Sequence, residues 1–205
     1  MREAVLRKPA ARHNLTIVGG RVVTLSGPTA AGKSTAIRRL LTLNDSSRML
    51  TSVTDRAPRG DELEGEYEFV TTDEFHELEH LGEFAWWVAI HGNLYGTRRR
   101  DIVRAVNEID KVHLAHVAPQ TYKRAMPYVE DGIIIPIYIL SPGDDLLRRR
   151  CFDRGGLSSA KIEERIVECR RWDEEARQSG VPFRFVQNEG EIEDLVESII
   201  TALSD

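Results

Sequence analysis

Cysteine is scarce: the 205 residues hold two, Cys151 and Cys169. Two thiols build neither a disulfide framework nor a four-ligand metal site, so the expected setting is a reducing cytoplasm. Long apolar runs are missing, and no stretch approaches the ~20 residues that a spanning helix needs. Residues 1–20 carry Arg and Lys without a long apolar stretch, so they read as a polar extension and not as a signal peptide. Positive charge is not in surplus: 28 Lys and Arg stand against 33 Asp and Glu, a formal net charge of −5. That argues against a general nucleic-acid binder and leaves room only for a local basic channel. Internal repeats and low-complexity segments are absent too. What remains is an ordinary globular balance, 41% hydrophobic and 30% charged. The length suits one domain, or one domain with inserts, around a sizeable core.

One stretch organises the chain: Gly27-Pro28-Thr29-Ala30-Ala31-Gly32-Lys33-Ser34-Thr35. It reads G-x-x-x-x-G-K-S, a phosphate-binding loop. A β-branched run, Arg21 to Ser26, precedes it, and helical spacing follows from Thr35 to Leu41. In such a loop the glycines let successive N–H groups curl toward phosphate oxygens, and the helix adds its positive end. Lys33 is placed to reach the β- and γ-phosphates of ATP, and the Ser34 hydroxyl to ligate Mg²⁺. A chance glycine turn is the bland alternative, and the strand–loop–helix flanks argue against it.

Residues 15–25 suggest a hairpin into the core strand, with an extended surface arm as the alternative. Further strands are expected at Met49–Val53, Tyr67–Val70, Phe84–Ile90, Val112–Val117, Ile133–Leu140 and Phe183–Val186. Helices are expected from Thr71 to about Leu81, Arg99 to Ile109, Asp144 to Arg150, Ala160 to Gln178 and Glu191 to Leu203, with a turn over 91–96. Strands alternating with helices predict an α/β fold whose parallel sheet is covered on both faces. The segment 54–97 breaks the alternation and reads as a mixed insert.

Taken in order, these segments resemble the guanylate kinase family of P-loop nucleoside monophosphate kinases. The likeness is carried by the loop at 27–35, then Ser52-Val53-Thr54-Asp55-Arg56-Ala57-Pro58-Arg59, Tyr67-Glu68-Phe69-Val70, Asp73-Glu74-Phe75, Gly82-Glu83-Phe84 and His91-Gly92-Asn93-Leu94-Tyr95-Gly96-Thr97. Ile137 to Pro142, Arg150 to Gly155 and Val186-Gln187-Asn188 continue it, so it runs from about Arg21 to the C-terminus. The resemblance implies a P-loop kinase with a parallel sheet core, a mixed acceptor-binding insert at about 52–97 and a helical lid at about 148–165. ATP would sit on Gly27, Thr29, Ala30, Ala31, Gly32, Lys33, Ser34 and Thr35, with Mg²⁺ on Ser34. Ser52, Arg56, Arg59, Tyr67 and Tyr95 would hold the phosphate of the acceptor. The chemistry agrees, since two arginines near a proline-fixed turn offer forked donors to one phosphate, whereas a lone basic turn is usually a solvated one. One residue is missing before Tyr67 relative to the family. Arg150, Arg154 and Arg165 would close over the phosphates as lid arginines, beside the catalytic Lys33; the run Arg148-Arg149-Arg150 also reads as a wet helix face.

The departures are as informative. Where the family reads guanine with a glutamate, this chain has Trp86 in Phe84-Ala85-Trp86-Trp87. An indole offers one donor and no acceptor, while a carboxylate accepts two hydrogen bonds from guanine. The family's acidic run after the next strand is Leu114-Ala115-His116-Val117 here. Thr97 still stands where the family has a serine near the base. The phosphate half of an acceptor site is thus present and the guanine-reading half is not, which implies a different acceptor. Trp86 either stacks on the acceptor or packs in the core. His113 and His116 lie three apart on a strand and face opposite ways, which excludes a metal pair, and His116 is the one placed to line the site. His91 reads as structural. The leading expectation is an ATP-dependent kinase of a small phosphorylated acceptor, a monomer or homodimer. A sugar-phosphate kinase such as a ribose bisphosphate kinase is the alternative, as is a kinase of a hydroxyl acceptor with Asp55 as base. A non-catalytic binding module is the alternative of another class, disfavoured by the intact Lys33 and Ser34.

Overall fold

The computed structural model of the chain describes residues 20–60, 62–90, 92–154 and 158–204. The extension up to residue 19, the first part of the expected hairpin, and His91 lie outside the described residues. A five-stranded sheet runs in the order β2 (Ser47–Met49), β7 (Val112–His116), β1 (Arg21–Ser26), β8 (Ile134–Ile139) and β9 (Arg184–Val186). Every pairing in it is parallel. The strands are apolar on both faces, as a doubly covered parallel sheet requires. Val23 and Leu25 point to one face with Ile37 and Leu40 of α1 (Lys33–Leu43) and Leu195 and Ile199 of α7 (Ile192–Ser204). Val22, Ala115 and Tyr138 point to the other, against Ile102 of α3 (Arg99–Asn107), Tyr122 of α4 (Tyr122–Glu130) and Phe183. Each such fully buried aliphatic side chain contributes about 1.5–3 kcal/mol.

A second sheet, β4 (Tyr67–Phe69), β3 (Ser52–Thr54), β6 (Asn93–Arg98) and β5 (Phe84–Ile90), is mixed: β3 and β4 are parallel, the other pairs antiparallel. The helix α2 (Thr72–His80) covers it through Phe75, whose ring stacks on Phe84 at 4.5 Å. A capping box starts α2, with Thr71 and Glu74 each bonding the other's backbone N–H. The last layer is the pair α5 (Asp144–Arg154) and α6 (Ser159–Gln178), joined by Leu147, Cys151, Ile162, Ile166 and Cys169. Ala30 of the glycine-rich loop belongs to the same cluster, so this pair is packed onto the loop. Both cysteines are buried and outside any disulfide, and burial pushes the Cys169 thiol up to about 12. No helix among the described residues is long and apolar enough to cross a membrane.

Three expectations need correction. The strand read over Met49–Val53 is two strands in two sheets, because the chain crosses at Leu50 and Thr51 without a turn residue to mark it. The turn read over 91–96 is mostly β6, since Ile90 already pairs with Asn93. α4 was not expected, and its Pro127 disguises it.

Candidate functional site

The loop after β1 is shaped by backbone that only glycine takes readily. Gly27 has φ 142° and Gly32 φ 98°, and a Cβ at either would stand 2.3 Å from the Ile139 carbonyl oxygen or from Asn188 Nδ2. Gly32 also caps α1 without a side-chain hydrogen bond, so no capping oxygen covers the first N–H groups of that helix. Lys33 folds back, and its Nζ donates to the Gly27 and Pro28 carbonyls at 2.6 Å each. Ser34 and Thr35 are exposed on the first turn, as is Thr29 on the loop, while Ala30 and Ala31 are buried beneath it.

The loop opens onto a cavity of about 520 Å³ at the C-terminal ends of β1 and β7. The strand order reverses direction there, where parallel sheets bind ligands. Gly27, Thr29 and Lys33 line one end. All seven acceptor-side expectations, Ser52, Arg56, Arg59, Tyr67, Trp86, Tyr95 and Thr97, line the rest, together with His116, Arg165 and Trp172. Residues from both sheets and from α6 therefore meet on one wall.

Arg56 is only 8% exposed. Its guanidinium lies 5.1 Å from the Tyr67 ring centre and 5.6 Å from Phe69, and it donates to the Ala57 carbonyl at 2.7 Å. Glu62, which the sequence reading missed, completes the turn. Its carboxylate accepts from Arg56 Nη2 at 2.9 Å and from the Arg59 and Gly60 N–H groups at 2.7 Å each. Partial desolvation works against the charge, yet these donors hold the Glu62 carboxyl down at about 2. Tyr67 and Tyr95 meet edge to face at 6.2 Å, and burial pushes the Tyr67 hydroxyl well above its ordinary range. Asp55, the alternative base, is occupied otherwise: one oxygen accepts from Leu94 N–H at 2.7 Å and the other from Thr72 Oγ1 at 2.9 Å, and it is not on the cavity wall.

Trp86 packs in the core and also borders the cavity. It is 3% exposed and edge-on to Tyr128 at 5.3 Å in the core, and it also contributes to the cavity wall. Val88, Ile90, Val117 and Ala118 extend that wall as an apolar surface. Among the described residues the cavity lining carries Lys33, Arg56, Arg59 and Arg165 and no carboxylate.

The expected lid arginines part company. Arg165 reaches the wall and pairs with Glu168 at 3.0 Å. Arg150 does not line the cavity and is tied to the loop from behind, donating to Asn188 Oδ1 at 3.1 Å and Ala30 O at 3.4 Å; burial lowers its pKa. Asn188 Nδ2 in turn donates to the Ala31 carbonyl at 2.8 Å. Arg154 ends α5, and its side chain lies outside the described residues. Trp172 escaped the sequence reading because nothing in a long exposed helix marks which residue faces the cavity.

Known proteins agree with this architecture. The family model described as guanylate kinase matches residues 19–205. The guanylate kinase of Clostridioides difficile (strain 630) is 33% identical over 148 residues, covering 72% of this chain and 71% of that one. The guanylate kinase of Geobacter sulfurreducens is 36% identical over 149 residues, with 72% and 71% covered. Among solved structures, guanylate kinase from Anaplasma phagocytophilum superimposes with a TM-score of 0.63 at 25% identity, over 91% of this chain and 86% of that one.

Proposed function

This chain belongs to the guanylate kinase family and is an ATP-dependent kinase, and we propose that it moves the ATP γ-phosphoryl group to a small, nucleoside monophosphate-like acceptor that is not selected as guanine. One observation carries the reading: a single cavity joins the phosphate-loop lysine to an arginine–tyrosine cluster, and no carboxylate lines it. Four cationic side chains favour a phosphorylated acceptor. Arg56 and Arg59 offer forked donors to its phosphate, with Ser52, Tyr67 and Tyr95 adding hydroxyls. The far end is Trp86, Val88, Ile90 and Val117 with the hydroxyls of Thr97 and Thr121. It offers a ring a flat apolar surface and offers guanine N1 and N2 no anion.

Phosphoryl transfer needs positioning and charge neutralisation above all. In this reading Lys33 leaves its two loop carbonyls for the β- and γ-phosphates, and the α1 N-terminus binds the β-phosphate. Arg165 faces the transferring group from α6. Arg150 acts from behind, fixing the loop through Ala30 and Asn188. Arg154 is kept as a lid arginine on the resemblance alone. No group of three or more His, Cys, Asp or Glu among the described residues could hold a metal alone. The exposed Ser34 hydroxyl next to Lys33 fits an ion held mostly by phosphates and water. Ser34 would hold Mg²⁺ there, and the ion would supply charge neutralisation to the phosphates. The test is ADP release from Mg·ATP, followed for wild type, Lys33→Ala and Arg56→Ala. Lys33→Ala should abolish turnover. Arg56→Ala should raise the acceptor KM by about 10–100-fold, the loss of one charge-assisted interaction, and leave the ATP KM unchanged. Turnover that survives in Lys33→Ala removes the loop from the mechanism.

A further inference from the structure

The cavity wall is rich in donors: Lys33, Arg56, Arg59, Arg165 and the two indoles of Trp86 and Trp172. Beside the hydroxyls, which donate or accept, stands one ring nitrogen able to accept, on His116. Its environment decides which nitrogen that is. Nδ1 of His116 lies 3.7 Å from Glu66 Oε1, and the side chain is 28% exposed, toward the cavity it lines. Glu66 is 7% exposed, and its other oxygen, Oε2, accepts the Leu63 N–H at 2.9 Å. Burial pushes the Glu66 carboxyl up, but the Leu63 N–H and the facing His116 and Tyr67 side chains outweigh it, so its pKa lies below the ordinary carboxylate value and it stays ionised. Burial and the Lys33 charge oppose protonation of His116 and outweigh Glu66, so the imidazole is neutral. A neutral ring facing a fixed carboxylate keeps its proton on the near nitrogen.

Resting on the phosphorylated-acceptor reading above, we propose that Glu66 holds His116 as the Nδ1–H tautomer, so that Nε2 accepts a hydrogen bond from a hydroxyl or ring N–H of the acceptor and selects for it. Glu66 is a positioning residue, and His116 is the specificity-determining one. The preferred acceptor is a phosphate ester rich in hydrogen-bond acceptors that carries one donor in reach of His116. Acceptors lacking the donor leave a lone pair on the wall unmatched.

The geometry supplies its own inversion. In Glu66→Gln the Leu63 N–H keeps the carbonyl oxygen on its side, so the amide NH₂ turns to His116 Nδ1. The ring then holds its proton on Nε2 and presents a donor to the cavity. Histidine-selective ¹⁵N NMR of the free protein at about pH 8, where an ordinary imidazole is neutral, reads this directly, with His116→Ala assigning the signal. The expected result is Nδ1–H in wild type and Nε2–H in Glu66→Gln. Nε2–H in wild type, or no change in the variant, overturns the proposal. ADP release with GMP, AMP, CMP, UMP, dTMP and ribose 1,5-bisphosphate supplies the second arm. Both Glu66→Gln and His116→Ala should raise the KM of the preferred acceptor about tenfold, the worth of one hydrogen bond, with the ATP KM unmoved. Adding Glu66→Gln to His116→Ala should cost nothing more. Unchanged acceptor KM values overturn the selection by His116. An unaltered acceptor KM in Arg56→Ala instead overturns the phosphate reading, and the tautomer measurement still decides the Glu66–His116 wiring.

Discussion

Replacing Trp86 with alanine measures how far the cavity wall is also the core. The indole is 3% exposed and sits edge-on to Tyr128 at 5.3 Å, among the buried Ala115, Val117 and Tyr122. Removing a buried tryptophan costs roughly 3–5 kcal/mol, in lost transfer energy and in the void left behind. The lost aromatic pair accounts for about 0.5–1.5 kcal/mol of that. The open cavity lets water fill the void, which places the expected loss near 3 kcal/mol. A chain of this length loses about 2–4 °C of Tm per kcal/mol, so Tm should fall by roughly 6–12 °C. Urea unfolding gives the free energy and a thermal melt the Tm, both on the unliganded protein. Kinetics on the same variant should show a raised acceptor KM with an unchanged ATP KM, since the loop is built from other elements. Trp86→Phe, which keeps a ring, should lose less on both counts. A loss below about 1 kcal/mol for Trp86→Ala would refute the burial argument and make the indole a freely standing wall.

Two further predictions come from buried polar groups. His113 is 2% exposed with its Nδ1 unpartnered, and burial pushes its pKa below the ordinary value; Glu108 at 3.0 Å opposes the shift and Arg104 adds to it. The unfolded chain therefore binds the proton first, and stability present above about pH 6.5 is lost as pH falls through that value. Urea midpoints should drop between about pH 7.5 and pH 5.5, and His113→Gln should flatten that drop; an identical slope in the variant would clear His113 of the effect. Asn188→Ala removes the donor to the Ala31 carbonyl and the acceptor for Arg150. Leaving that carbonyl unmatched should cost about 1–3 kcal/mol and raise the ATP KM, because the loop loses its brace; a stability loss with ATP KM unchanged would show that the brace does not shape the nucleotide site.

The loop and its flanking strand and helix were legible because each needs particular residues: glycines at Gly27 and Gly32, an apolar strand before, helical spacing after. Ser52, Arg56, Arg59, Tyr67, Trp86, Tyr95 and Thr97 were singled out through the resemblance to the guanylate kinase family, and they do share one cavity. What escaped depends on long-range placement. Met49 to Val53 passes from one sheet to the other with no glycine or proline between, and periodicity carries no mark of such a crossing. Glu66 looks like one more acid in a polar run until the fold puts it beside His116, some fifty residues on. Arg150 has the sequence context of a lid residue, yet α5 turns it toward Asn188 and the underside of the loop. Trp86 could be read as wall or as core, and only the packing of α4 shows that it is both.

If the guanylate kinase-like loop serves an acceptor not chosen as guanine, substrate preference shows it. The most direct measurement is the specificity constant for ADP release from Mg·ATP across GMP, dGMP, AMP, CMP, UMP, dTMP and ribose 1,5-bisphosphate, with Lys33→Ala as the blank. The expected result is the highest kcat/KM for a panel member other than GMP or dGMP, by at least about tenfold, the worth of one matched hydrogen bond. A preference for GMP over every other acceptor would contradict it, and would mean that guanine is held without a carboxylate on the cavity wall.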